Sequence, residues 1–287
     1  MEKLKRIAAI HDISGFGKCS LTVALPVISA SGVECSCMPT ALLSTHTGGF
    51  KGFTFKDLSD EMLPIARHWK SCDVQFDGIY SGYLANAEQA MLLEAVSDII
   101  RTKDTKIIID PVMADNGEYY RSFDNSMRDA FIKLCAKADI ITPNITEAAL
   151  MTGMPYKPGP HDESYISELL ERLSELCGGI IALTGLCPNS ESIGAVAYSP
   201  QTGEKVIALR PVRAGAFHGT GDIFASAFSA LMVRGAGLKS STEAAIALVS
   251  ESIDRTVARG TPRRNGVDFE GALPRYVLEV SKLFEKQ

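Results

Sequence analysis

The chain has 287 residues, of which 46% are hydrophobic and 22% charged, with a formal net charge of −5. That balance fits one large α/β domain or two small ones and excludes disorder on a large scale. An acidic chain with no basic block beyond Arg263-Arg264 disfavours nucleic acid as the main partner. Loop amides and a metal could still hold the phosphates of a nucleotide.

From the N-terminus, Lys3, Lys5 and Arg6 lead into the apolar run Ile7-Ala8-Ala9-Ile10. That run stops at His11-Asp12, too soon for a signal peptide, and no stretch of 18 apolar residues follows, so no membrane span is expected. Short apolar runs then alternate with amphipathic stretches, the pattern of βα units around a parallel sheet. Residues 6–10 read as the first strand, 21–31 as a helix and 33–38 as a second strand. Residues 55–69 carry apolar side chains at helical spacing. A short strand over 78–81 precedes a helix over 86–101. Ile107-Ile108-Ile109 leaves no polar face, so 106–110 predicts a strand covered on both sides and ending at Asp110-Pro111.

Residues 123–136 read as helical, and 139–142 as a strand ending at Pro143-Asn144. Helices are expected from 147–151 and over 165–177, with another strand over 179–184. Residues 194–198 and 205–209, split by Ser199-Pro200-Gln201-Thr202-Gly203, predict a hairpin. Residues 222–234 and 242–259 predict long helices. No repeat, low-complexity segment or Pro/Gly/Ser linker interrupts the pattern, so 1–287 reads as one domain. The seven cysteines (Cys19, Cys35, Cys37, Cys72, Cys135, Cys177 and Cys187) are odd in number and irregular in spacing. They fit neither a disulfide framework nor a metal cluster, and predict reduced, mostly buried thiols in a cytoplasmic protein.

The strand candidates end in polar or Gly-containing turns: Ile10-His11-Asp12, Ser81-Gly82-Tyr83, Asp110-Pro111, Thr142-Pro143-Asn144 and Thr184-Gly185. In open α/β sheets ligands bind outside the carboxyl ends of the strands, so these turns are expected on one binding rim. The strongest chemical signal is Gly219-Thr220-Gly221-Asp222 running into a helical pattern. Glycines allow close approach of an anion to successive amides, and the helix dipole adds favourable potential. Asp222, in the first turn, either takes the proton of an attacking hydroxyl or caps the helix. Asn144 and Glu147 have the spacing of a capping box, and Asp110 before a proline could simply end its strand. Gly15-Phe16-Gly17-Lys18-Cys19-Ser20 lacks the spacing of a phosphate-binding P-loop, which leaves Lys18 as a solvated residue or a substrate-side contact.

Three segments together carry a resemblance. Gly219-Thr220-Gly221-Asp222 resembles the signature of the ribokinase-like superfamily. Asp110-Pro111-Val112-Met113-Ala114-Asp115 resembles the DPVMGD segment of its vitamin kinase branch. Thr142-Pro143-Asn144-Ile145-Thr146-Glu147 resembles that branch's TPNxxE segment. The resemblance covers nearly the whole chain in the expected order. It implies an α/β ribokinase-like three-layer sandwich, a central mostly parallel sheet flanked by helices. It implies Asp222 as catalytic base, with Gly219, Thr220 and Gly221 forming the anion hole. Asp110, Asn144, Glu147, Thr184, Gly219 and Thr220 match ATP-binding positions. Asp115 and Glu147 match positions near Mg2+, a hard cation suited to carboxylate and phosphate oxygen. It further implies a homodimer and leaves a monovalent cation requirement open.

In the N-terminal half, Ser44-Thr45-His46-Thr47-Gly48 resembles the S-N-H-T-G segment of pyridoxal kinases, and Tyr83 resembles the aromatic of their TGY segment. The resemblance places His46, Thr47 and Tyr83 around a pyridine ring, and Asp222 at its hydroxymethyl group. Their usual Q-S-H is replaced by His11-Asp12-Ile13-Ser14, which puts Asp12 and Ser14 beside the substrate. A carboxylate there could pair with a protonated pyridine or an amine and shift the preference among vitamin B6 forms. A flap over ATP is implied after Asp115, with Tyr119 or Tyr120 contributing. The reading is therefore an ATP-dependent kinase for a B6 vitamer (pyridoxal, pyridoxine or pyridoxamine), with no nucleic-acid or membrane partner. The alternative within the fold is a hydroxymethylpyrimidine kinase, many of which carry Cys in place of Asp222. A vitamin-binding protein without turnover is an alternative of another class. A dinucleotide-dependent oxidoreductase ranks low, because Gly15-x-Gly17 lacks a third glycine.

Overall fold

In chain order the computed structural model, which describes residues 3–121 and 123–285, begins with β1 (Arg6–Ser14), α1 (Leu21–Ala30), β2 (Glu34–Leu43), β3 (Phe55–Asp57), α2 (Ser59–Ser71), β4 (Gly78–Ser81) and α3 (Ala87–Ile100). It continues with β5 (Lys106–Ile109), β6 (Ala114–Asp115), β7 (Glu118–Tyr119), α4 (Asn125–Cys135), β8 (Ile140–Ile141), α5 (Ile145–Thr152) and α6 (Glu163–Leu176). The last third supplies β9 (Ile180–Asn189), β10 (Ser192–Tyr198), β11 (Lys205–Pro211), α7 (Thr220–Arg234), α8 (Leu238–Arg259) and α9 (Leu273–Phe284).

Nine strands form one sheet in the order β11-β10-β9-β8-β5-β4-β1-β2-β3, and β6 and β7 form a separate ribbon. The central strands β2, β1, β4, β5, β8 and β9 run parallel, while β3, β10 and β11 join antiparallel at the two sides. Successive strand residues point to opposite faces, which sorts the core into two layers. Ile7, Ala9, Tyr80, Ile108, Ile140 and Ala182 pack with α1, α7, α8 and α9. Ala8, Ile10, Ile79, Ile109, Ile141 and Ile181 pack with α2 through α6. This is the ribokinase-like three-layer arrangement expected from the motifs. Among the described residues no helix is long and apolar enough to cross a membrane.

Three expectations need correction, and one helix was not anticipated. The first strand does not stop at His11-Asp12. It runs on to Ser14, because Ile13 and Ser14 still pair with Leu42 and Leu43 of β2 beyond an irregularity at Asp12. Residues 55–57 are not helical; they pair with β2, and α2 begins only after Asp57 Oδ1 accepts the Ser59 N–H at 2.7 Å. Thr184-Gly185 is not a strand end, since β9 continues to Asn189 and forms a second hairpin with β10. The helix α9 went unread, although Pro274 in its first turn and the buried pair Tyr276 and Val280 mark it.

Candidate active site

Strand β1 delivers the first site residues by its alternation. His11 is fully buried and stacks edge-on against Tyr80 at 4.4 Å, whereas Asp12 and Ser14 reach the rim of the sheet. There the ends of β1, β4, β5 and β8 meet the start of α7 and the β11–α7 loop around a cleft of about 620 Å³. Every residue given a catalytic, ATP, substrate or metal position from the sequence lines it: Asp12, Ser14, His46, Thr47, Tyr83, Asp110, Asp115, Asn144, Glu147, Thr184, Gly219, Thr220, Gly221 and Asp222.

The floor of the cleft is the start of α7. Gly219 has φ +83°, a left-handed conformation that suits glycine, and a side chain there would overlap the Lys18 carbonyl oxygen. The first intrahelical bond runs from the Ile223 N–H to the Gly219 oxygen at 3.0 Å, and no side chain caps the preceding amides. Those amides, with the helix dipole behind them, make an anion-binding surface. Gly221 differs from Gly219: a Cβ there would meet nothing within 4 Å. Gly221→Ala is therefore expected to change stability by less than about 0.5 kcal/mol. The added methyl stands in the cleft, and we expect kcat/KM to fall roughly 10-fold or more as it holds phosphate oxygens off the amides. Thermal melting and steady-state kinetics on one preparation check both parts.

Asp222 does not cap its helix. Its carboxyl is half-buried and is pushed up to about 7, chiefly by burial, with the Ser20 amide opposing and Asp12 adding to the rise. A carboxyl with that affinity can take and release a proton near neutral pH.

A second group of acids closes the opposite wall. The capping box is real: Asn144 Oδ1 accepts the Glu147 N–H at 2.9 Å, and Glu147 Oε2 accepts the Asn144 N–H at 2.8 Å. Glu147 Oε1 also accepts the Met113 N–H at 3.1 Å, and Asn144 Nδ2 donates to the Ala114 carbonyl at 2.8 Å. The structural reading of this pair thus holds while both residues face the cleft. Burial pushes the Glu147 carboxyl up against the pull of the Asn144, Met113 and Ala114 amides. Burial also raises Asp110, and the neighbouring Glu147 and Asp222 carboxylates add to it. Asp115 is exposed and accepts from the Asn116 amide and side chain. Thr184 bridges to Asn144, its N–H donating to the Pro143 carbonyl at 2.9 Å.

The acids form no ion pair among the described residues, and no three His, Cys, Asp or Glu side chains converge as a protein-only metal cage there. Glu147 has both oxygens on backbone amides, and Asp115 presents its carboxylate to the open side. Carboxylates without a countercharge, their oxygens held on N–H donors, fit a hard divalent ion that keeps most of its ligands from water and phosphate.

At the far end, His46 is 5% exposed and spends both ring nitrogens locally. Nδ1 accepts the Gly48 N–H at 3.0 Å, so Nε2 carries the hydrogen given to the Arg264 carbonyl at 2.7 Å. Burial accordingly holds its pKa down. His46 therefore shapes the wall with its ring and fixes the loop carrying Thr47 and Gly48. Tyr83 packs on Phe123 with ring centroids 5.6 Å apart. Lys18 does not line the cleft: its partly exposed side chain pairs with Glu270 at 2.7 Å and donates to the Val267 carbonyl at 3.1 Å.

The implied flap is a small hairpin, β6–β7, turning at Asn116-Gly117 with φ +53° and +85°. Asn-Gly is a standard hairpin signal, and the sequence reading passed over it. Of its two tyrosines, Tyr120 lines the cleft, while the Tyr119 hydroxyl donates to Asn125 Oδ1 at 3.0 Å. Also missed was an apolar wall of Ile193, Pro211, Val212, Ile246, Val249 and Ile253. Its α8 members recur at helical spacing, but they read as ordinary core until β10 and β11 leave them facing open space. His218, between His46 and Asp115, was quoted in the motif without a role.

Residues 23–266 match the family described as phosphomethylpyrimidine kinase. A Bacteroides thetaiotaomicron protein, provisionally a phosphomethylpyrimidine kinase and crystallised with pyridoxal, is 36% identical, with a TM-score of 0.88 over 96% of each chain. Pyridoxal kinase from Lactobacillus plantarum is 28% identical, with a TM-score of 0.87 over 96% of this chain and 98% of its own. The hydroxymethylpyrimidine/phosphomethylpyrimidine kinase of Bacillus subtilis is 26% identical over 226 residues, covering 77% of this chain and 79% of its own.

Proposed function

The chain belongs to the phosphomethylpyrimidine kinase family, and on that premise we propose that it transfers the γ-phosphoryl group of ATP to the hydroxymethyl group of a vitamin B6 compound. The observation that carries this reading is Asp222, an acid poised near neutral pH beside uncapped helix amides in a cleft wide enough for two ligands. The apolar wall over α8 suits a flat nucleotide base. That arrangement lays the phosphates along Thr184 and Asn144 toward the α7 amides. The vitamer's ring then lies between Tyr83 and the His46 wall, its hydroxymethyl group at Asp222.

Asp222 accepts the hydroxyl proton as the oxygen attacks the γ-phosphorus in line, while the bond from that phosphorus to the β,γ-bridging oxygen breaks and ADP leaves. The amides of Gly219, Thr220 and Gly221 hold the equatorial oxygens as charge spreads over them. Asp115 and Glu147 would hold Mg2+, with Glu147 acting largely through water because its oxygens already serve two amides. Bound there, the ion would neutralise phosphate charge and fix the triphosphate's conformation. Tyr120 and the β6–β7 hairpin border the phosphate path and would limit water access.

Support for a B6 vitamer over a pyrimidine alcohol comes from Asp222 itself and from the His46-Thr47 wall. The pyridoxal-bound relative at 36% identity supports it too. A hydroxymethylpyrimidine substrate is the second reading, favoured by the Bacillus subtilis relative. Incubation with ATP and each candidate alcohol, with product detection by mass, separates them. We expect phosphorylated vitamers. Phosphorylation of the pyrimidine alone would replace the substrate, and no transfer to any alcohol would leave a binding protein.

A further inference from the structure

The half of the cleft that receives the alcohol holds a carboxylate for which the transfer has no use. Asp12 is 3% exposed, lines the cleft and forms no ion pair among the described residues. Ser14 Oγ donates to its Oδ2 at 2.8 Å, which fixes the carboxylate's orientation without neutralising it. Ser20 stands between Asp12 and Asp222, its hydroxyl toward the first and its amide toward the second. Ser20 holds that position in a left-handed backbone, φ +55°, an unfavourable choice for a serine. The arginines lining the cleft, Arg210 and Arg213, lie on and just after β11, at the other end. A buried carboxylate without a cation is costly, and a cationic ligand group would remove that cost.

Resting on the B6 reading above, we propose that Asp12 selects the substrate by receiving a protonated amine that stands next to the reacting hydroxymethyl group on the ring. The position follows from Ser20. An acid this close to Asp222 meets the neighbouring ring substituent when the hydroxymethyl group sits at Asp222. In pyridoxamine that substituent is an aminomethyl group, a cation with three N–H donors. In pyridoxal it is an aldehyde, whose oxygen only accepts and would oppose the carboxylate lone pairs. The chain therefore prefers the amine to the aldehyde by roughly 10- to 100-fold, the range of a charge-assisted hydrogen bond.

The test measures kcat/KM for pyridoxamine and pyridoxal at saturating ATP, in wild type, Asp12→Asn and Asp12→Ser. We expect a wild-type ratio of about 10 or more in favour of the amine, falling toward unity in both variants. A wild-type ratio at or below one overturns the proposal, and that arm needs no variant to fold. An unchanged ratio in a variant with a wild-type melting profile overturns it as well. Turnover of both vitamers without preference leaves the kinase reading intact and removes only the role of Asp12. Turnover of neither removes both.

Discussion

Asp222→Ala is expected to lower kcat by roughly 100-fold or more, the usual contribution of a positioned general base, while ATP affinity holds or tightens. Affinity should not suffer because the substitution removes a negative charge from beside the phosphates. Burial raises the carboxyl from 3.8 to about 7, so below that pH it carries a proton and cannot accept another. Wild-type kcat/KM should therefore climb as pH rises through about 7, and this limb should vanish in the alanine variant. Burial also disfavours the ionised form in the fold, so removing the group should not lower the melting temperature at pH 8. Rates from pH 5.5 to 8.5 for both proteins, with nucleotide binding measured in parallel, test the assignment. A near-normal kcat in Asp222→Ala would sink it.

Gly219→Ala is expected to damage fold and activity together. The residue sits at φ +83°, and a Cβ there would overlap the Lys18 carbonyl oxygen, backbone that cannot swing aside like a side chain. The left-handed conformation alone costs about 1 kcal/mol for alanine, and the overlap adds about 1–3 kcal/mol. In a chain of this size each kcal/mol corresponds to roughly 2–4 °C, so melting should drop by several degrees. To relieve the overlap the start of α7 must shift away from residues 18–20, taking the anion-binding amides and Asp222 with it. We expect kcat/KM to fall roughly 100-fold or more. The contrast with Gly221→Ala is the sharper measurement: neighbouring glycines, one required by backbone and space, the other only by the ligand. Equal melting temperatures for the two variants would contradict the geometry.

The sequence alone determined the parts whose signal is local. Alternation of buried strands such as 106–110 with amphipathic helices fixed the layered class, since a segment's periodicity reports which of its faces is covered. Gly219-Thr220-Gly221-Asp222 and Asn144-Ile145-Thr146-Glu147 named their residues because a turn and a cap are made by neighbours in the chain. Tertiary structure decided whatever depends on distant partners. Whether Asp222 caps or faces Ser20, and that Lys18 pairs with Glu270, are contacts across folded loops. The extension of β1 to Ser14 was settled by β2, because strand pairing outweighs the turn preference of His11-Asp12. The α8 residues Ile246, Val249 and Ile253 came to line the cleft beside Ile193 of β10 and Pro211 of β11 only through packing across the fold, for a helix stripe carries no mark of what will stand against it.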